Sequence, residues 1–418
     1  MQSDFKPFRR KPTVDQIDTK DDAATPPPKP VSTPSTAPVE PPPSTSGFSP
    51  QPERFTDTTD EANSNGFMRF SWTLNRKTTL LLAGLALLLI GGALFAVLQT
   101  RPDNMGGTYI SKKPPKPVIK PTTVASNLSG LQVQPEVNER PVTGVMIENS
   151  LEARPQSGLA QASVVFEAIA EGGITRFLAL YQDNEAESLG PVRSVRPYYL
   201  QWCMSFDCAI AHAGGSPEAL ANVRAWGVKD LDQFANSAPY NRVSDRYAPH
   251  NLYTSVAKLR ELEAAKGYGK ANFTALARKT AAPSKTPNAT QISVNISSGA
   301  FNSTYAYDAK TNTYARNQNG GAHMVVESGG QQTQLKPTTI VAMTMPYGVA
   351  ADKHSQYGVV GSGEVRVFQD GTVTTGTWAK ADTAAPLTLT GADGQPLALN
   401  PGQTWFVALS ASNLVTYK

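Results

Sequence analysis

Cysteine is nearly absent from this chain: Cys203 and Cys208 are the only two in 418 residues. That excludes a scaffold built from several disulfides and any site of four thiolates. Histidine is scarce too, with four copies, and no HExxH segment, lysine-bearing phosphate loop or serine nucleophile elbow occurs. Neither a metal nor a cofactor is therefore expected. Net charge is small, since 38 Lys and Arg face 34 Asp and Glu to give +4. The charge is spread out and has no aromatic-basic repeat, so no nucleic-acid partner is expected.

Charge is missing altogether from Thr79 to Leu98 (TLLLAGLALLLIGGALFAVL). About 20 residues rising ~1.5 Å each span about 30 Å, the thickness of a bilayer's hydrocarbon core. This predicts a transmembrane helix at 79–98. Arg76 and Lys77 precede it and Arg101 follows with Asp103, which leans toward an inside N-terminus. The apolar run lies too far from the start for a cleaved signal peptide, so it reads as a retained anchor. The expected localisation is the cytoplasmic membrane, single-pass, with the C-terminal domains outside.

Residues 1–78 form the expected cytoplasmic tail, rich in proline as in Pro26 to Pro43 (PPPKPVSTPSTAPVEPPP). Such composition buries too little apolar surface to offset chain ordering. Residues 99–131, centred on Lys112 to Pro121 (KKPPKPVIKP), read as a stalk. The rest divides at a change of texture, Ala277 to Thr290, into an α/β domain at 132–285 and a β-rich domain at 286–418. The predicted fold class is thus α+β, an extracytoplasmic α/β layered domain followed by a mostly antiparallel β domain, preceded by one transmembrane helix.

Within the first domain, Val142 to Ile147 is a strand candidate, and Ala162 to Ala170 with Ile174 to Tyr181 flank a Glu-Gly-Gly turn. Ser216-Pro217-Glu218 opens a helix running to Trp226, and a second follows Ser255. Strand-like runs recur beyond residue 300, among them 305–318, 338–345, 363–368, 371–380, 386–390 and 403–410.

Candidate site residues follow from chemistry. Arg154, Arg176, Arg193 and Arg196 suit bidentate recognition of carboxylate or phosphate. Gly190 to Tyr199 (GPVRSVRPYY) reads as a turn into a helix, which would put Arg193 and Arg196 on one face. Glu167 and Glu171 are acid-base candidates, although four strand positions separate their Cα atoms by about 13 Å. His212 sits at a predicted strand end, a common place for α/β active-site groups. His250 in DRYAPHNLY is a second candidate, whereas His323 and His354 read as turn and loop residues. Cys203 and Cys208 either close a short disulfide or remain buried thiols; the disulfide is carried forward.

Four segments, Glu148 to Leu159 (ENSLEARPQSGL), Phe166 to Tyr181 (FEAIAEGGITRFLALY), GPVRSVRPYY and Asp245 to Tyr253 (DRYAPHNLY), resemble the YerB-like bacterial envelope family, DUF3048. GSGE at 361–364, TWAK at 377–380 and PGQTWF at 401–406 resemble its C-terminal domain. The resemblance implies an α/β part followed by a β-rich part, and no established chemistry. It carries over as candidate ligand-binding positions Asn149, Arg154, Arg176, Arg193, Arg196, Asp245 and His250, beside the catalytic candidates Glu167, Glu171 and His212. Relatives are typically described as lipoproteins, whereas this chain has no cysteine near its apolar span.

Three functions follow as expectations. The first is a membrane-anchored envelope protein that binds an anionic envelope component or protein partner through an arginine-rich cleft. The second is a cell-wall hydrolase or transferase, and the third a scaffold or sensor using the tail. Oligomeric state is left open.

Overall fold

Thr143–Glu148 (TGVMIE, strand β1) is buried at all six positions, as befits a strand covered on both faces. It belongs to a computed structural model that describes residues 122–418. The expected tail, the apolar span at 79–98 and the stalk as far as residue 121 lie outside the described residues. Among the described residues, no helix is long and apolar enough to cross a membrane. The fold class is accordingly corrected to an α/β region followed by a mostly antiparallel β region, with no membrane helix as part of it. Single-pass topology and membrane partnership through 79–98 are not carried further. The last part of the expected stalk is itself folded: Val124–Ala125 pairs with Gln132–Val133, and Leu128 is buried.

Strands β2 (Val164–Glu171) and β3 (Ile174–Tyr181) turn at Gly172 and Gly173, with φ of 56° and 78°. Two consecutive positive φ values make the tight hairpin turn that glycine adopts at least cost. Helix α1 (Pro197–Met204) follows, then β4 (Ala209–Ala211), helix α2 (Pro217–Ala225), β5 (Lys229–Asp230) and helix α3 (Val256–Ala265). Ser216 and Ser255 cap α2 and α3, each accepting from a backbone N–H at 3.3 Å. The helical pairing of Arg193 with Arg196 does not form. Pro197 disfavours helical geometry at the residue before it, so Arg196 is an extended N-cap (φ −125°, ψ 158°) and Arg193 precedes the helix.

In the second half, β6 (Gln291–Val294), β7 (Ser303–Asp308) and β8 (Thr313–Gln318) begin a five-stranded antiparallel sheet. Strand β9 (Thr339–Thr344) leads to a small hairpin, β10 (Tyr347–Val349) with β11 (Ser355–Tyr357). The chain continues through β12 (Gly361–Gln369), β13 (Thr372–Lys380), β14 (Thr388–Gly391), β15 (Thr404–Leu409) and β16 (Val415–Tyr417). Strand β16 returns to pair with β6.

The principal sheet has ten strands in the order β14-β13-β12-β9-β15-β2-β3-β1-β4-β5. Strand β15, near the C-terminus, runs parallel to both β9 and β2 and joins the two halves. All six of its residues are buried, and burying a side chain such as Phe406 contributes about 1.5–3 kcal/mol. Phe166 of β2 stacks on Phe406 at 4.6 Å and on Trp202 of α1 at 5.0 Å. One core therefore spans the change of texture at 277–290. Cys203 and Cys208 form a disulfide with Cα atoms 5.2 Å apart. Asp207, at φ 50°, supplies the bend that so short a closure needs.

Candidate functional site

The polar residues singled out from the sequence separate into three networks. In the first, Glu167 on β2 meets Arg316 on β8, with Nη2 3.0 and 2.8 Å from the two carboxylate oxygens. Trp405 Nε1 donates to Glu167 Oε2 at 3.0 Å, and Thr175 donates to Oε1 at 3.4 Å. Burial works against the Arg316 charge, but Glu167 and Tyr305 together outweigh it and hold the guanidinium above its ordinary pKa.

Arg316 also donates to His323 Nδ1. A guanidinium can only donate, so Nδ1 accepts and Nε2 carries the proton, which it gives to Gln156 Oε1 at 3.1 Å. Burial, then Arg316, pushes the His323 pKa well down, so the ring is neutral. Gln156 donates to Asn149 Oδ1 at 2.8 Å, and Asn149 donates to Thr175 at 2.7 Å. Thr175 returns to Glu167, so the hydrogen bonds close a buried ring. Arg154 joins it by donating to Asn149 Oδ1 at 3.0 Å.

The second network centres on Glu171, which pairs with both Arg176 and Arg196. Both arginines are almost wholly buried. Burial opposes ionisation of Glu171, yet the two guanidiniums outweigh it and lower its pKa. The third gathers at the carboxyl ends of the parallel strands β1, β4 and β5. Glu148 accepts from His250 Nδ1 at 3.0 Å and lies 3.3 Å from Arg193 Nε. His212, fully buried, places Nδ1 2.9 Å from Gly214 O and Nε2 3.0 Å from Asp230. Asp245 is exposed and joins none of the three.

These placements correct the expected mechanisms. No arginine-rich cleft forms, because Arg176 and Arg196 share Glu171 and Arg193 faces Glu148. Glu167, Glu171 and His212 occupy three separate networks, so they do not assemble acid-base machinery. Among the described residues, no group of three or more His, Cys, Asp or Glu could hold a metal ion.

A groove that the sequence did not signal lies between α1, α2 and the β10–β11 hairpin, with a volume of about 410 Å³. Tyr198 and Tyr357 form its floor with ring centroids 5.0 Å apart, and Tyr347 packs on Tyr357 at 4.9 Å. Tyr198 donates to Ile169 O at 2.6 Å while Ile169 N donates to the Tyr357 hydroxyl at 3.3 Å. Both floor rings are thereby fixed. Trp226, Gln201, Glu218 and Gln356 are also among the lining residues. Among the described residues these four make no side-chain hydrogen bond or ion pair. Arg316 and Trp405 likewise escaped the sequence reading, and His323, read there as a turn residue, is buried in the first network, since only long-range pairing gives these three their partners.

The geometry is that of a mixed-sheet α/β protein in which Glu167, Glu171, Arg176, Arg196 and Arg316 are spent on buried or part-buried ion pairs. The chain belongs to the DUF3048 family: residues 128–269 match the model described as "Protein of unknown function (DUF3048) N-terminal domain", and 292–406 match its C-terminal counterpart. It is 33% identical over 291 residues to "Putative lipoprotein YerB" of Bacillus subtilis (strain 168), covering 66% of this chain and 84% of that protein. The crystal structure of YerB from Bacillus subtilis matches with a TM-score of 0.63 at 27% identity, covering 71% of this chain and 99% of the other.

Proposed function

We propose that this is a binding protein that holds a neutral saccharide chain in the aromatic groove. The observation that carries the reading is the set of unpaired polar side chains, Gln201, Glu218, Gln356 and the Trp226 indole, around a fixed tyrosine floor. A pyranose offers an apolar face to aromatic rings and a hydroxyl edge to amides and carboxylates. The groove's volume falls in the range of about 300–1,000 Å³ usual for small-ligand sites. Apart from tyrosines, its one ionisable lining residue is Glu218, which favours an uncharged ligand over an anionic polymer. The Bacillus relative is named a lipoprotein, and we carry its envelope association to this chain as part of the proposal. Saccharide polymers are abundant in that setting.

The test is calorimetric titration of the full chain with soluble neutral oligosaccharides, cello- and chito-oligomers, alongside tryptophan emission. Saturable binding that moves the emission of Trp226 and is weakened about tenfold in Trp226→Ala is expected. No saturable binding to any of them overturns the reading.

A further inference from the structure

A second cavity, of about 350 Å³, lies where the two family regions meet. Arg154 and Pro155 line it from the N-terminal region; Gln318, His323, Met324 and Gln332 are among those from the C-terminal region. Arg154 is held rigidly. Its Nε donates to Asn149 Oδ1, its Nη2 donates to Asn149 O and Ala300 O at 2.9 Å, and its guanidinium lies 5.3 Å from the Phe301 ring centroid. All three acceptors are neutral, and among the described residues no carboxylate is in ion-pair contact with it.

Within the buried centre the charges do not balance: Arg154 and Arg316 face one buried carboxylate, Glu167, and His323 is neutral, while the exposed Glu152 attracts Arg154 only from beyond ion-pair distance. Burial, followed by repulsion from Arg316, pushes the Arg154 pKa down to about 10. A part-buried guanidinium with no anion is costly, and Nη1 is its one nitrogen without a hydrogen bond. Gln318 adds a second unmet need. It is 6% exposed, its amide donates to Phe301 O at 3.1 Å, and its Oε1 is buried without a partner.

We infer that this cavity binds the free C-terminus of a peptide, its carboxylate on Arg154 and its last backbone N–H on Gln318. The two unmet groups specify an anion with a hydrogen-bond donor beside it, and a terminal residue carries both one bond from its Cα. Pro155 and Met324 provide an apolar wall for a small side chain. The site is independent of the aromatic groove.

The probe is N-acetyl-alanyl-alanine, titrated into the full chain by calorimetry and followed by thermal unfolding. The free acid is expected to bind saturably and raise Tm. Its C-terminal amide, and the analogue methylated on the last amide nitrogen, should each bind at least tenfold more weakly. Arg154→Gln should lose the interaction; if that variant fails to fold, the three ligands still decide the matter on the wild-type chain. Equal binding of acid and amide, equal binding of acetate or orthophosphate, or no binding at all overturns the assignment.

Discussion

Glu167 and Arg316, 149 residues apart in sequence, meet as an ion pair at 2.8 Å with side chains 1% and 0% exposed. Strands from the two halves of the chain are thus tied by charge as well as by the shared sheet. The Arg316 guanidinium also lies 4.7 Å from the Trp405 ring centroid, so β15 is fixed to the same centre.

Removing one partner of this pair leaves the other buried and unneutralised. Arg316→Met is expected to destabilise the chain by about 3–5 kcal/mol in denaturant unfolding. The double variant Glu167→Leu, Arg316→Met should lose less than the sum of the two single variants, by at least about 1 kcal/mol. Strict additivity would show that the pair is not coupled.

Glu263 on α3 is fully buried, accepts one hydrogen bond from Thr143 at 2.8 Å, and leaves Oε2 without a partner. Burial pushes its pKa up to about 7, against weaker opposition from Thr143, Arg260 and Lys229. The folded state therefore holds a proton that the unfolded chain releases near pH 4.5, so this group's contribution falls as pH rises from about 4.5 to 7. Glu263→Gln should gain on wild type between pH 5 and pH 8 by roughly 1–3 kcal/mol, measured by unfolding at both values. A pH-independent difference would refute the assignment.

Two glycines separate strain from crowding. Gly158 has φ 84°, and an added Cβ would meet Leu189 Cδ2 at 2.4 Å and Ser188 O at 2.6 Å. Gly172 has φ 56° with nothing within 4 Å. Alanine at 172 should cost about 1–2 kcal/mol from backbone conformation alone. Gly158→Ala should cost more, about 2–4 kcal/mol, because overpacking adds to the strain. Thermal unfolding gives the order directly.

In the groove, Trp226→Ala should weaken saccharide binding about tenfold, the loss of one aromatic face. Gln201→Ala and Gln356→Ala should each cost about three- to tenfold, a hydrogen bond apiece. Asp245→Ala, in none of the polar networks, should leave titration curves unchanged. Equal effects from all four variants would place the ligand elsewhere.

Local chemistry was legible where short-range physics decides. Ser216 and Ser255 announce their helices because a cap bonds three residues ahead. Gly172 and Gly173 announce the hairpin because only the turn needs positive φ. The family motifs were legible for the same reason, each being a contiguous run. Arg193 and Arg196 misled because a pattern compatible with a helix face was overridden by Pro197 at the boundary. Glu167 and Glu171, already far apart as four strand positions, end with different partners, and a register shift between Ile169 and Glu171 interrupts the strand between them.

The sequence by itself determined the elements, the turns, the family and the scarcity of metal-ligating and nucleophilic groups. Only the tertiary structure decided which charges are spent and which are left over. Parallel insertion of β15 between β9 and β2 is a long-range pairing that no local period encodes, and it brings Trp405 to Glu167. Burial makes an unpaired charge costly, which turns most of the arginines into structural members. Arg154 is left with neutral acceptors only, and Gln318 Oε1 with none, because the long-range packing around them brings no matching group.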